Sequence, residues 1–283
     1  MGNSHEQTQQ SLVTFESPEV KPVRGRIPSP GFRFPRQWLG LVLPVVFVIL
    51  WELLARAGLL AANWFPAPIA IADTLLELLQ GGELARHIAY TMARVLAGFL
   101  IGALSATLLA GITGSTPLVR QLLDPSIQAL RSIPSMAWVP LFLLWMGIHE
   151  SSKIALISVG VFFPVYLNLL SGILTADRKL VEVGQVFKLD KLQLVRRVIL
   201  PAALPSYLVG LRSGLGLGWM FVVAAEIMGA SRGLGFLMID GQMTGRAAVI
   251  IASIVLFAFF GKLTDLVIEV AGNRLLGHRG MVL

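Results

Sequence analysis

The stretch at residues 177–205 reads DRKLVEVGQVFKLDKLQLVRRVILPAALP and lies between two long apolar runs. If it forms a helix, apolar side chains fall on one face at i, i+3, i+7 spacing and polar side chains fall on another. The apolar face holds Leu180, Val183 and Phe187. The polar face holds Glu182, Gln185 and Lys188. The pattern predicts a short amphipathic helix over residues 178–188 whose apolar face is a docking surface.

Basic residues are concentrated in the same stretch, among them Lys179, Lys188, Lys191, Arg196 and Arg197. By the positive-inside rule we predict that this loop is cytoplasmic. Pro201 and Pro205 lack an N–H group and crowd the preceding turn, so we expect the chain to change direction there before it re-enters the bilayer. A basic loop that only rests on anionic lipid is the alternative interpretation.

The composition of the chain is that of a polytopic membrane protein. Of the 283 residues, 55% are apolar and only 14% are charged, and the mean hydropathy is +0.75. Such values exclude an ordinary soluble domain. The apolar runs predict six spans, at about residues 38–57, 88–112, 122–148, 154–174, 203–228 and 247–270. Six spans place both termini in the cytoplasm, and the basic residues of the loops agree with that orientation.

The ends of the chain and its charge also bear on its class. Residues 1–37 are polar and rich in proline, and we predict a disordered cytoplasmic tail instead of a cleaved signal peptide. Residues 38–275 form the predicted membrane domain, and residues 276–283 a second cytoplasmic tail. The net charge of +7 is spread among loops, which argues against a nucleic-acid surface. With no cysteine and four dispersed histidines, no local metal site is expected.

Glycine and proline positions predict where helices pack closely and where one span is interrupted. Glycines four residues apart predict close helix packing in the second and fifth spans. They are Gly98 and Gly102, then Gly210, Gly214 and Gly218. Pro134 is expected to kink or break the third span. An amphipathic outer helix is predicted over residues 69–79, and an outer loop over residues 231–246.

Charged and aromatic residues inside the spans are candidates for the transport pathway, because an ion facing lipid is energetically costly. Arg131 and Arg212 both lie roughly 14 Å from the inner end of their spans at 1.5 Å per residue. They predict either a weakly positive cavity for an anion in transit or structural pairing. Glu226 is expected to pair with an arginine of the following loop or to shape an outer gate. Trp138 and Trp219 line the pathway in one interpretation and fill core gaps in the other.

The loop resembles the signature of permease subunits of bacterial ABC importers, which begins Glu-Ala-Ala, continues with a Gly and ends in an apolar residue followed by Leu-Pro. Here it reads Glu182-Val183-Gly184, and it ends Ile199-Leu200-Pro201. Lys188 stands where the family usually has Gly. The resemblance implies an all-α, six-helix type I importer fold with a coupling helix at residues 177–200. Leu180, Glu182, Val183, Gly184, Phe187 and Lys188 are the expected ATPase-coupling residues.

The chain contains no G-x-x-x-x-G-K-[ST] motif that would cradle nucleotide phosphates. It is therefore expected to be a non-catalytic subunit, with ATP and Mg bound to two separate ABC ATPase subunits. The resemblance further implies a second copy of the permease, an extracytoplasmic substrate-binding protein and a location in the bacterial inner membrane.

Several further motifs resemble the sulfonate, taurine and nitrate type of importer permease. They include Leu130-Arg131-Ser132-Ile133-Pro134, Leu144-Trp145-Met146-Gly147-Ile148 and Arg232-Gly233-Leu234-Gly235. The residues of the first two motifs favour an aliphatic sulfonate or taurine as the substrate, with nitrate or bicarbonate as alternatives. An ATP-independent channel or ion-coupled carrier is a more distant alternative. An intramembrane enzyme is disfavoured, since the spans contain no catalytic constellation.

Overall fold

The computed structural model describes residues 36–134 and 137–277. The predicted tail at residues 1–37 lies outside the described residues except for its last two, and so does the end of the second tail, residues 278–283. The chain divides into two compact units, one up to Val46 and one from Phe47 onwards. The features discussed below belong to the second unit.

The regular structure of the described residues is helical throughout. The helices are α1 (Arg36–Arg56), α2 (Pro68–Gln80), α3 (Glu83–Ser115), α4 (Pro117–Arg131), α5 (Trp138–Met146), α6 (Glu150–Leu174), α7 (Arg178–Val186), α8 (Lys191–Leu194), a π-helical turn (Val195–Ile199), α9 (Leu200–Ile227), α10 (Leu234–Met243) and α11 (Ala247–Gly277).

Four helical segments of the described chain are long and apolar enough to cross a membrane. They are α3, α6, the continuous segment Val195–Ile227 and α11. They coincide with the predicted second, fourth, fifth and sixth spans, and α1 coincides with the first. The predicted break in the third span is confirmed, because α4 and α5 are separate helices and Pro134 lies between them. With 15 and nine residues, neither reaches alone across the roughly 30 Å of a bilayer core.

Helices α3, α6 and α9 form the centre of the bundle, and α6 packs extensively on both of the others. Gly98 lies against Ile157 and Gly114 lies against Ile173, so α3 and α6 run in the same direction. The chain must therefore return along the bundle between the end of α3 and the start of α6. The return covers roughly 35 Å at 1.5 Å per residue. The segment that makes it contains α4 and α5.

Helix α9 runs antiparallel to α6. Gly160 lies against Phe221, near the end of α9, and Gly172 lies against Ala203, near its start. The bundle consequently has two ends that can be named by their residues. The Glu226 end holds the beginnings of α3 and α6 and the end of α9. The α7 end holds the opposite termini together with α7 and α8.

The predicted role of the spaced glycines in helix packing is confirmed. A Cβ atom added to Gly102 would stand 2.5 Å from the carbonyl oxygen of Ser158, whereas one added to Gly111, in the same helix, would meet nothing within 4 Å. Gly210 and Gly214 likewise face the backbone of α6. The side-chain-free surface lets the helix axes approach closely, which maximises dispersion contacts where lipid provides no hydrophobic driving force.

The predicted change of direction at Pro201 and Pro205 is wrong. The π-helical turn leads into α9 without interruption, so residues 195–227 form one continuous helical segment. In the wider turn the N–H of Leu200 donates to the carbonyl of Val195. Pro201 then occupies the first turn of α9, where the preceding π-helical turn accommodates a residue that has no N–H group.

The connection between α9 and α11 also differs from the prediction. Residues 231–246 were expected to form a loop, but they contain α10, in which Leu234, Leu237 and Gly241 are buried. Polar residues and glycines interrupt the apolar pattern of this helix, so periodicity does not predict it. Tertiary packing stabilises it. The predicted amphipathic helix at residues 69–79 is confirmed as α2, which packs on α3 and α11.

Candidate functional sites

An apolar surface on α7 has no covering partner within the described chain. It consists of Leu180, Val183, Val186 and Phe187, whose exposed fractions are 50%, 52%, 80% and 75%. We call these four residues the α7 surface. It contains all three residues of the predicted apolar face and lies at the α7 end, next to the polar side chain of Glu182, which is exposed. Clustered exposed apolar side chains beside a charged residue make this surface a candidate interaction site.

The other side of α7 packs onto the segment that leads into α9. Gly184 is buried, and a Cβ atom added there would stand 2.5 Å from Cδ1 of Leu194 and 3.5 Å from Cγ2 of Val198. A larger side chain at this position would push α7 away from the π-helical turn. Gly184 therefore sets the distance between the α7 surface and the long helix that begins at Val195.

Helix α7 ends earlier than predicted, at Val186 instead of residue 188. Lys188 adopts a left-handed backbone with φ of 54°, and among the described non-glycine residues no other has positive φ. The N–H of Leu189 donates to the carbonyl of Gly184 over 3.1 Å, as in a Schellman-type helix end. A turn that would suit Gly is thus made here with Lys, at a strain of about 1–2 kcal/mol.

An ion cluster joins the three central helices at the Glu226 end, and all of its members are buried except Glu150, which is exposed. We call it the Arg94 cluster, and its side chains are those of Thr91, Arg94, Glu150, Lys153 and Glu226. Arg94 makes a bidentate contact with Glu150, with Nε–Oε2 at 2.6 Å and Nη2–Oε1 at 2.7 Å, and its Nη1 donates to Glu226 over 2.7 Å. The side chains of Arg94 and Glu226 are 3% and 0% exposed.

Each charge of the Arg94 cluster is balanced. Lys153 donates to Glu150 over 3.1 Å, so two cations face two carboxylates. The Glu226 carboxylate also accepts from the hydroxyl of Thr91 at 2.8 Å and from the backbone N–H of Gly235 at 2.8 Å. A buried carboxylate held by a guanidinium, a hydroxyl and an amide satisfies the requirement that buried ions be both paired and hydrogen-bonded.

The same cluster fastens the backbone that follows α9. Arg94 donates to the carbonyl of Arg232 over 2.6 Å, and Thr91 accepts from the N–H of Leu234 over 2.8 Å. Gly233 has φ of +124°, and any side chain there would collide with the carboxylate of Glu226. Residues 232–235 are therefore held against α3, and glycine is required where the chain wraps around the acid.

A second ion cluster joins α9 to α11. Arg212 makes a bidentate contact with Asp265, at 2.8 and 3.0 Å, and donates to Glu269 over 2.9 Å. Lys262 donates to Asp265 over 3.2 Å. The charge of Arg212 is thus offset by two carboxylates, so the structure favours pairing over the predicted positive cavity at this position.

A family model described as the binding-protein-dependent transport system inner membrane component matches residues 98–276. The chain belongs to this family. The matched range contains the α7 surface, Arg131, the Arg212 cluster and Glu226, whereas Thr91 and Arg94 precede it. A membrane component that depends on a binding protein is not a free-standing channel or carrier, so that alternative is set aside.

Individual relatives of this transport-system family agree with the match. The chain is 42% identical over 246 residues to a putative aliphatic sulfonates transport permease protein of Bacillus subtilis (strain 168), covering 86% of this chain and 88% of the relative. A protein of Escherichia coli (strain K12) with the same description is 39% identical over 234 residues, covering 81% and 89%.

The fold also matches that of a solved transporter. A methionine ABC transporter in inward facing conformations aligns with a TM-score of 0.59 and 20% identity, covering 69% of this chain and 95% of that chain. At this identity the likeness concerns the fold alone.

The remaining predicted pathway residues of this family member lie in different surroundings. Trp219 is buried between α9 and α11, where its Nε1 donates to Thr264 over 2.9 Å. Trp138 is half-buried at the start of α5 and packs on the core. Arg131 and Pro134 are exposed at the break between α4 and α5. Arg131 thus takes no part in the ion pairs that neutralise Arg212.

Sequence reasoning missed several partners in these clusters. An arginine of the following loop was expected to pair with Glu226, but the structure gives this role to Arg94, and the loop residue Arg232 contributes only its carbonyl, which accepts from Arg94. Asp265 and Glu269 were also overlooked as partners of Arg212. Their spacing of four residues within an apolar span was the available signal, because two acids on one helix face in a membrane require a cation.

Substituting Arg94 tests the buried cluster. Arg94→Met would leave the carboxylate of Glu226 without its cation, and we expect the free energy of unfolding to fall by about 3–5 kcal/mol. The control is Arg56→Met, which removes an exposed pair with Glu52 and is expected to cost at most about 1 kcal/mol. Unfolding in mixed detergent measures both values, and equal losses would contradict the buried-pair assignment.

Substituting Lys188 tests the strained turn. Lys188→Gly is expected to stabilise the turn by about 1 kcal/mol, since Gly adopts positive φ without strain. Lys179→Gly, within helical α7, is the matched control and should destabilise by a similar amount. Hydrogen exchange at the amides of Phe187 and Leu189 should become slower in the first variant and faster in the second. Faster exchange in Lys188→Gly would rule out the strain.

Proposed function

We propose that this chain is the permease subunit of an ATP-driven importer and that the α7 surface docks onto a separate ABC ATPase. The observation that carries the proposal is the exposure of four apolar side chains on α7 at the end of the bundle away from the Arg94 cluster. Left in water, these side chains would lose the stabilisation that burial gives, about 25 cal/mol per Å². A groove on a partner protein removes them from water.

The proposed topology has six crossings with both termini in the cytoplasm. Helices α1, α3, α6, α9 and α11 supply five, and the pair α4 and α5 supplies the sixth, because the parallel course of α3 and α6 requires a return between them. The α7 end faces the cytoplasm in this proposal. The basic residues Lys179, Arg196 and Arg197 at this end support that orientation through the positive-inside rule.

The continuous segment Val195–Ile227 gives the docking surface a mechanical connection across the membrane. Its 33 residues span about 50 Å at 1.5 Å per residue. Near one terminus Val198 of the segment, together with the preceding Leu194, lies against Gly184 of α7, and near the other terminus the segment carries Glu226. A displacement of α7 by the ATPase would therefore be transmitted along this helical segment towards the Glu226 end.

The complete importer in this proposal contains two permease copies, two ATPase subunits and an extracytoplasmic binding protein. ATP and Mg bind to the ATPase subunits, and the permease itself carries out no chemical step. The ATPases close on ATP, and the coupling helices rock the two bundles between inward and outward access. Binding-protein dependence is already a property of the family, and delivery occurs at the Glu226 end.

The proposed substrate is an aliphatic sulfonate, a class that includes taurine. The support for it is that the relatives that are 42% and 39% identical over most of both chains are described as putative aliphatic sulfonates transport permease proteins. The same motifs also resemble those of nitrate and bicarbonate importers. The transport assay below distinguishes these two substrates from an aliphatic sulfonate.

A transport assay with variants of the docking surface tests the proposal. Proteoliposomes with the permease, its ATPase and its binding protein should accumulate a labelled alkanesulfonate when ATP is supplied. Phe187→Asp places a charge in the apolar contact, and Glu182→Lys reverses one beside it. Each should lower ATP-driven uptake at least about tenfold, as expected for an interface anchor worth more than about 1.4 kcal/mol.

The matched control is Asp73→Lys, which reverses an exposed charge on α2 without touching α7. It should leave uptake near the wild-type rate. Undiminished uptake by Phe187→Asp would rule out the docking surface. Uptake of nitrate or bicarbonate in place of the sulfonate would leave the docking intact and replace the substrate.

A further inference from the structure

We propose that Arg131 lines the transport pathway and supplies the positive charge that an aliphatic sulfonate contacts during its passage. This inference rests on the proposed function and assigns a substrate-contacting residue within it. The residue lies at the end of α4, directly before the described part of the break, residues 132–134.

The first support is the contrast between Arg131 and the other arginines of the spans. Arg94 is balanced by Glu150 and Glu226, and Arg212 by Asp265 and Glu269. Within the described chain, by contrast, the side chain of Arg131 has neither a hydrogen bond nor an ion pair. The two arginines that the sequence placed at one level thus have different electrostatic states: two carboxylates offset the charge of Arg212, and no carboxylate of the described chain offsets that of Arg131.

The second support is the exposure of the broken helix around Arg131. Ser132, Ile133 and Pro134 are exposed in the single chain, and their backbone has left the α-helical ladder. Irregular backbone at membrane depth is stable only where it is buried in protein or lines a water-filled cavity. Because this chain does not cover the break, it faces either a second subunit or the aqueous pathway, and not lipid.

The third support is the position of Arg131 along the crossing. It lies midway between Pro117, where α4 begins, and Met146, where α5 ends. A guanidinium at the middle of a crossing is too far from either surface to reach the headgroups in full, and an intramembrane cation that faces water is associated with substrate or ion pathways. Broken helices near the midplane are also where transporters bind their cargo.

The chemistry of a guanidinium suits a sulfonate. The planar fork of N–H donors can contact two sulfonate oxygens at once, and the fixed charge compensates for water that the anion loses. Without a competing carboxylate the charge is available to the substrate. A single exposed arginine per subunit also holds an anion weakly enough to release it, as conduction requires.

The chain has no cysteine, which permits a charge-rescue experiment in the complete importer with cysteine-free partners. Wild-type uptake of an alkanesulfonate is measured first, and its absence would overturn the proposed function, not this inference alone. Arg131→Cys should lower uptake about tenfold, the loss expected for one charge-assisted hydrogen bond. Aminoethyl methanethiosulfonate, which restores a cation, should recover uptake, and sulfonatoethyl methanethiosulfonate, which adds an anion, should not.

Substrate protection distinguishes contact from structural pairing. Saturating alkanesulfonate with the binding protein should slow modification of Cys at position 131. A cation that only pairs with an acid of the second subunit would be rescued without such protection, and that result would overturn the inference. So would an unreactive thiol or wild-type uptake by Arg131→Cys. The matched control is Arg120→Cys, the other arginine of α4, for which uptake should not respond to either reagent.

If Arg131→Cys does not assemble, Arg131→Lys and Arg131→Gln decide the same question. The lysine variant keeps the charge and should retain most of the uptake, whereas the glutamine variant should lose it. Equal uptake by the two variants would contradict a role for the charge.

Discussion

A bilayer provides no hydrogen-bonding partners and no water, and this constraint explains most of the architecture. Every charge and backbone group at membrane depth must either find its partner within protein or line a water-filled cavity. The Arg94 cluster meets the requirement by closing a network across α3, α6 and α9, and the segment at residues 232–235 wraps around Glu226 to complete it. Glycines on the facing helices provide the close approach that brings these partners within reach.

Two surfaces of the single chain expose groups that a protein or water must cover, and each points to a partner. The α7 surface exposes apolar side chains at an end that is rich in basic residues, where water would surround it. The break between α4 and α5 exposes irregular backbone and the unbalanced charge of Arg131 at membrane depth. The first needs a protein in the aqueous phase, and the second needs a water-filled pathway or a second subunit. The proposed importer assembly would supply both.

The sequence predicted the helices that apolar runs and glycine spacing define, since these signals are local. It also located the apolar face of α7, whose periodicity is complete within three turns. It failed where tertiary contacts decide the outcome. Pro201 was expected to end a helix, but a π-helical turn accommodates it, and α10 owes its helix to burial. The partner of Glu226 lies more than a hundred residues away, so no local pattern identifies Arg94.

The most direct test of the account is photo-crosslinking from position 187 in an assembled, transporting complex. A photoreactive amino acid in place of Phe187 should crosslink to the ATPase subunit, and the yield should change when ATP binds and the nucleotide-binding subunits close. Crosslinks to lipid alone, or to the binding protein on the other side of the membrane, would contradict the account.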